Sequence, residues 1–555
     1  MKQSRMTLLI ALAFIFLPDL NAQKKALAID DIASWNRITE KEISPDGKWI
    51  AYKIAPWAGD SKIFLYNSEG VQRFEAACSK EIKFTEDSKY LLFKMTPGYD
   101  LVRKTKLNRR GDTGIPPDKL GIYSLRTGLL DTVHEIRNFK IPERWTGYVA
   151  YQVEKPSGDS DHQEDQNETE STGSADNDNG LYLRRLENGK TVSWPSVSEY
   201  LFSKTEEKLC FASTGDETDF AAGVYLYDCE TGRADTIMKG EYEYKQLTFS
   251  GDEKMIAFLA KPSDMNLTGD FSLFLWSGKG TASEIVNNKM KEIPLSWRIS
   301  ENRSISFSGN GHRIFFGIAP VRPARDPNIT DDEYPVLDVW HGGEGLLHTV
   351  QLVNKEKELK RTYLTMYDLL NDGLLRIETE DMPESYPIDN GNANHFVVYT
   401  GLPYELKSMY DPLHHDVYLL NLQTATRQPV KINIRSVPKP SPAGKFLIWF
   451  DYDNYSWYTH HIESGKEFRI TDPGALRAEI ETNTTFDVNE PYGTPGWLDD
   501  DRAVLIYDRY DIWKVDPQNL TPPVNITLNG RNTSTVYRLI NFDQLQESFS
   551  ENVPQ

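Results

Sequence analysis

The sequence predicts an all-β fold, a β-propeller of seven to nine four-stranded blades over residues 29–540, with the last blade free to be incomplete at the C-terminus. Three observations carry that expectation. One turn-and-strand phrase recurs along the chain, its strands alternate with a period of two, and its copies are spaced like propeller blades. The phrase first appears as EISPDGKWIAYK, residues 42–53. Pro45 presets φ, Asp46 caps its own backbone and Gly47 takes the dihedral that other residues avoid. In the run that follows, Trp49 and Ala51 fall on one face and Ile50, Tyr52 and Ile54 on the other, which is strand periodicity.

Further copies begin at Phe84 (FTEDSKYLLFKM), Phe202 (FSKTEEKLCFAS), Phe249 (FSGDEKMIAFLA), Phe307 (FSGNGHRIFFGI) and Pro440 (PSPAGKFLIWFD), with a looser one at Trp497 (WLDDDRAVLIYD). Most are followed by a second strand that ends in a polar hairpin, such as SKIFLYNSEG, GVYLYDCETGR or YDIWKVDPQN. Two units keep the strand pair without a clean turn: GYVAYQV with GLYLRRLENGK, and HFVVYTG with HDVYLLNL. The turn residues Ser44, Thr85, Ser203, Ser250, Ser308 and Ser441 are roughly 40–60 residues apart, or two to three times that where the divergent units intervene. A single such sheet cannot bury both faces, and radial stacking solves this while leaving only short edges. A sandwich would give short strands too, but it would not need one phrase so many times.

Residues 1–22 read as a signal peptide. Lys2 and Arg5 precede an apolar run, 7–17, that is too short to span a bilayer, and Ala22 offers a small residue for cleavage. No later segment is long and apolar enough to cross a membrane, so a periplasmic or secreted location is expected. Three cysteines, Cys78, Cys210 and Cys229, are too few for a disulfide framework. Hairpin counting places Cys210 and Cys229 about three residues out of register, which disfavours a bridge. A net charge of −20 argues against nucleic acid as a partner. Part of that charge lies in 156–180, which has eight carboxylates, no Lys or Arg and no apolar periodicity, and so reads as a disordered acidic loop within one blade. Asp176 to Gly180 resembles the start of a calcium loop, but the glutamate such a loop needs is replaced by Arg185 and Leu186. Residues 541–555 are expected as the tail of a truncated blade or a linker.

Candidate chemistry is sparse. No G-x-S-x-G nucleophile elbow occurs. WHGGEG, 340–345, is like an esterase oxyanion loop, yet VLDVWHGGEGLLHTVQL reads better as a β-hairpin with a glycine turn. His414–His415 lacks a spaced third metal ligand, and Glu206–Glu207 occupies the turn slot filled by Asp46–Gly47 in the first copy. No long amphipathic helix is expected. The 12 Trp and 28 Tyr suit packing between blades. No catalytic, cofactor-binding or metal residue is assigned. A propeller enzyme such as a glycosidase or lyase would need paired carboxylates near the axis, and no single pair stands out.

IDDIASWNRITEKEISPDGKWIAYKI, DDEYPVLDVWHG, and EPYGTPGWLDDDRAVLIYDRYDIWKVDP followed by NITLNGR together resemble exported bacterial peptidases of the prolyl oligopeptidase family. SPDGK is common among propellers, whereas YDRYDIW, 507–513, is much more specific. The resemblance covers 29–539 and implies the propeller half of a two-domain architecture, whose other half is an α/β-hydrolase with a Ser-Asp-His triad. The chain reaches Gln555 without a nucleophile elbow, so no catalytic residue carries over, and a truncated propeller, inactive alone, is expected. The implied role is gating and peptide binding, with a peptide substrate or a hydrolase domain as partner and no cofactor. The alternative is a stand-alone exported propeller that binds a peptide or protein without catalysis.

Overall fold

The structure is a computed structural model that describes residues 27–108, 114–153, 180–216, 220–263, 269–322, 340–484, 487–540 and 548–550, with isolated positions between 329 and 337 and at 546. The range 1–22, expected as a signal peptide, and the acidic segment 156–179 therefore lie outside the described residues, and Gly180 opens the strand Gly180–Arg185. The chain is all-β and has the four-stranded antiparallel blades of a β-propeller, the strands among the described residues lying in eight sheets. They are sheet I (37–77), sheet II (79–194), sheet III (197–239), sheet IV (242–286), sheet V (297–376), sheet VI (384–434), sheet VII (439–469) and sheet VIII (496–525 with 548–549). Two compact units divide the chain, Met1–Trp194 with sheets I and II, and Pro195–Gln555 with the rest.

Within the first unit, sheet II has seven strands because Leu130–Lys140 belongs to two ladders. It pairs with Asp118–Ser124 up to Ile136 and with Tyr148–Val153 from Ile136 onward. Glu135 takes a left-handed φ of 61° at the change of partner. In the second unit, adjacent sheets bury their apolar faces against each other. Leu259 and Leu273 of sheet IV meet Ile314 and Phe316 of sheet V, and Phe450 and Trp457 of sheet VII meet Val504 and Ile506 of sheet VIII. Trp513 packs, half-buried, into that last cluster, while Ile512 faces the opposite side. Ser548–Phe549 of the expected tail adds a short strand parallel to Gly496–Leu498.

The recurring phrase turns out to be a clamp. The turn residues Ser44, Thr85, Ser203, Ser250, Ser308 and Ser441 are all at most 3% exposed. Each hydroxyl accepts the N–H of the residue five places on, at 3.0 Å in Trp49, Lys208, Met255, Arg313 and Phe446 and at 3.1 Å in Tyr90. Four donate to the Asp or Asn two places on: Asp46, Asp87, Asp252 and Asn310. The turn then reaches the next blade. Ser88 Oγ accepts from Asp46 N–H at 3.1 Å, and Asn392 Oδ1 from Asn310 N–H at 2.8 Å. Glu253 accepts from the N–H groups of Lys204, Thr205 and Glu206 and from the Thr205 hydroxyl. Asp501 accepts from Ser441 Oγ at 2.6 Å and from Ala443 and Lys445 N–H at 3.0 Å. Ser88, Glu253 and Asp501 all sit at positive φ, a conformation glycine takes more cheaply, and each uses it to aim its side chain at the preceding turn.

Two sequence expectations are corrected. VLDVWHGGEGLLHTVQL forms no hairpin among its described residues: a turn at 341–346 leads into the helix His348–Leu359, designated α1. The flanking strands Arg313–Pro320 and Tyr363–Asp368 pair with each other, which leaves no ladder for an inserted hairpin. The unit containing HFVVYTG does have a turn, Asp389–Gly391, with left-handed φ at all three positions. α1 runs for 12 residues and buries none of them, so it is not the long amphipathic helix whose absence the sequence led us to expect.

Candidate functional site

In the second unit, the connections between second and third strands carry the long insertions of sheets V and VI, and these enclose a cleft of about 1010 Å³. One wall is α1, which contributes His348, Gln351, Leu352, Lys355, Glu358 and Leu359 at helical spacing. The facing wall and floor are Tyr363 of sheet V, Tyr399 and His415 of sheet VI, and the loops bearing Glu380, Pro383, Leu402, Glu405 and Leu413.

α1 buries no residue and is tethered at its ends. Gln351 Nε2 donates to Glu344 Oε2 at 2.5 Å and to Leu346 O at 3.0 Å. At the other end Arg322 Nη2 donates to Glu358 O at 2.5 Å, and Arg361 binds the Glu358 carboxylate with two N–H groups. Gly345 is required where the turn crosses Glu405, because a Cβ there would lie 2.7 Å from Glu405 Cβ. Between helix and sheet, where a core would ordinarily fill the gap, the apolar side chains remain open. Leu352 is 55% exposed, Leu359 46% and Leu402 45%. Covering one half-exposed leucine is worth about 1 kcal/mol, so the walls favour an apolar occupant.

The floor is aromatic. Tyr399 stacks on Tyr386 with centroids 5.3 Å apart and meets the His415 ring edge-on at 5.6 Å. Burial, reinforced by the Tyr386 hydroxyl, pushes the Tyr399 phenol far up. Burial holds His415 below the usual imidazole range, with its Nδ1 buried and without a hydrogen-bond partner. Among the described residues the lining contains no serine, threonine or cysteine.

Of the residues singled out in the sequence, His415 alone has its side chain in this lining, and the HGG segment supplies only the Gly345 crossing. The HGG amides are partly used locally, Gly343 N–H donating to His341 Nδ1 at 3.2 Å. Glu206–Glu207 lies in a turn, as expected. Cys210 opposes Leu226 while Cys229 N–H bonds Glu207 O, the three-residue offset read from the sequence, and no disulfide forms. The Asp176–Asn179 stretch is outside the described residues. Among the described residues no group of three or more His, Cys, Asp or Glu could hold a metal ion, and no helix is long and apolar enough to cross a membrane. YDRYDIW and NITLNGR converge: Asp511, 1% exposed, accepts from Thr527 Oγ1, Gly530 N–H and Arg531 N–H at 2.7, 2.8 and 3.0 Å. Arg531 in turn donates to Glu481 at 2.7 Å, so this motif is a structural knot.

The fold defines a β-propeller protein. No protein-family model matches the sequence, and no curated protein matches it. Solved structures similar to it include a eukaryotic initiation factor, at 11% identity and TM-score 0.38, covering 79% of this chain and 89% of that one. Acylaminoacyl peptidase of Pyrococcus horikoshii is similar at 10% identity and TM-score 0.30, over 78% of this chain and 59% of that one. The β-propeller domain of the trilobed protease of Pyrococcus furiosus is similar at 9% identity and TM-score 0.29, over 72% and 99%. Likeness of this order carries no functional argument.

Proposed function

We propose that this chain is the gating and peptide-binding propeller of an exported serine peptidase of the prolyl oligopeptidase type, and that the cleft under α1 is where it holds peptide. The observation that carries the reading is the cleft itself: a volume at the upper end of ligand pockets, open apolar walls and an aromatic floor. Hydrolysis is assigned to a hydrolase domain or partner. Export rests on the pattern of residues 1–22, and the peptidase connection on the motif resemblance over 29–539. Peptide acyl transfer by a serine peptidase needs a serine nucleophile, and the described lining holds none, so the role assigned to the propeller is positioning and selection.

The test is anisotropy titration of fluorescein-labelled unstructured peptides. Saturable binding is expected, weakened at least tenfold by Leu402→Asp with Leu413→Asp, two exposed wall positions whose change leaves the blade cores intact. Absence of binding, or binding indifferent to the double variant, would overturn the reading. The cleft serves equally a propeller that binds peptide with no hydrolase. Copurification of the full chain with serine-hydrolase activity separates the two.

A further inference from the structure

We infer that the cleft selects cationic peptides, those presenting Lys or Arg side chains beside apolar ones; this rests on the reading of the cleft as a peptide site. The lining carries charges of both signs, but they are unequally occupied. Arg361 is committed to Glu358 through two N–H···O bonds of 2.5 Å, and Arg322 donates to the Glu358 main-chain oxygen. Lys355 is the remaining lining cation of fixed charge and forms no ion pair among the described residues. Against it stand Glu380, Glu384 and Glu405, none of which is ion-paired among the described residues.

The carboxylates are also placed differently from the lysine. Glu384 begins the first strand of sheet VI, Glu384–Pro387, directly opposite Tyr399 in the ladder. It therefore stands beside the aromatic floor and within electrostatic reach of His415. Glu380 likewise stands within electrostatic reach of the other floor tyrosine, Tyr363, where the Glu358-paired Arg361 acts more strongly. A peptide whose apolar side chains cover Leu352, Leu402 and Leu413 is thus flanked by carboxylates at floor level. A guanidinium or ammonium there gains a carboxylate, and over Tyr363 or Tyr399 it gains a ring face as well. An acidic side chain in the same place meets like charge in a partly desolvated site.

The test uses three labelled peptides of equal length and apolar content, with two Lys, two Gln or two Glu, against the full chain. At 0.15 M salt the Lys peptide is expected to bind at least fivefold tighter than the Gln peptide, and the Glu peptide weakest. Because the chain is acidic throughout, cleft and bulk attraction are separated by two triple variants. Glu380→Gln with Glu384→Gln and Glu405→Gln should erase the preference, while Glu230→Gln with Glu284→Gln and Glu463→Gln, exposed positions of the same unit outside the lining, should leave it. Equal binding of the three peptides, or equal loss in both triple variants, would overturn the charge preference and leave the peptide site standing. Failure of all three peptides to bind would overturn both.

Discussion

Replacing Glu253 by alanine removes the acceptor for three backbone N–H groups and one hydroxyl on the neighbouring blade's turn, 204–206. Bonds to a charged acceptor contribute about 1.5–3 kcal/mol each when sheltered, but residues 204–206 are exposed and water replaces much of what is lost. The net cost expected is about 2–3 kcal/mol. Glu253 also sits at φ 58°, so glycine at the same position loses the bonds yet relieves strain, and its cost should be about 0.5–1 kcal/mol smaller. The pH dependence follows from the carboxyl's environment. Burial pushes Glu253 up, but the bonds from Thr205, Glu206 and Lys204 outweigh it and hold the carboxyl below its usual range. The stabilisation is therefore fully present above the unfolded glutamate value of about 4.3 and lost as pH falls through the lower folded value. Urea unfolding followed by tryptophan fluorescence should rank wild type above Glu253→Gly above Glu253→Ala at pH 7.5, with the gap between wild type and each variant shrinking below about pH 4 and the Gly–Ala gap unchanged. Coincident midpoints at pH 7.5, or a gap that ignores pH, would refute the clamp.

Trp513→Ala should cost about 3 kcal/mol, at the low end for a large aromatic because Trp513 is half-buried, and should leave peptide binding unchanged; the unfolding midpoint and one titration check both. Cysteine chemistry should be muted in the native state. Burial pushes the Cys229 thiol up to about 12 and Cys210 higher still, so a thiol reagent should label Cys78 first and the other two only on unfolding, with no disulfide seen in non-reducing mass spectra. Burial likewise lowers His395, His415 and His460. The unfolded state then binds more protons, so stability should fall as pH drops from about 7 toward 5, and His460→Gln should flatten that slope in an unfolding series.

The blade scaffold was legible because its signals are local. Turn chemistry and period-two runs lie within a dozen residues, and the buried Ser–Asp pairing at Ser44–Asp46 or Ser250–Asp252 is a direct physical consequence of the phrase. Asp389–Gly391 escaped because its turn uses three left-handed residues with no Ser–Asp pair. α1 escaped for a different reason. Leu347 provides no side-chain cap, the first turn has no acidic residue, and no apolar stripe runs along it. Only the run NKEKELKR, 354–361, rich in strong helix formers, signalled a helix, and the glycine pair before it argued for a hairpin instead. The cleft could not be read at all, since it brings together 346–363, 380–384 and 399–415 through pairing of sheets that sequence spacing does not specify.

The central claim, that peptide lies between α1 and sheet VI, is tested most directly by photo-crosslinking. An unstructured peptide bearing benzophenonylalanine would be irradiated with the full chain and the adducts mapped by mass spectrometry. The account predicts adducts concentrated in 346–363 and 399–415, competed by unlabelled peptide. Adducts concentrated instead on the opposite, turn-bearing edge of sheets V and VI, at 310–313, 368–375 and 422–425, would contradict it.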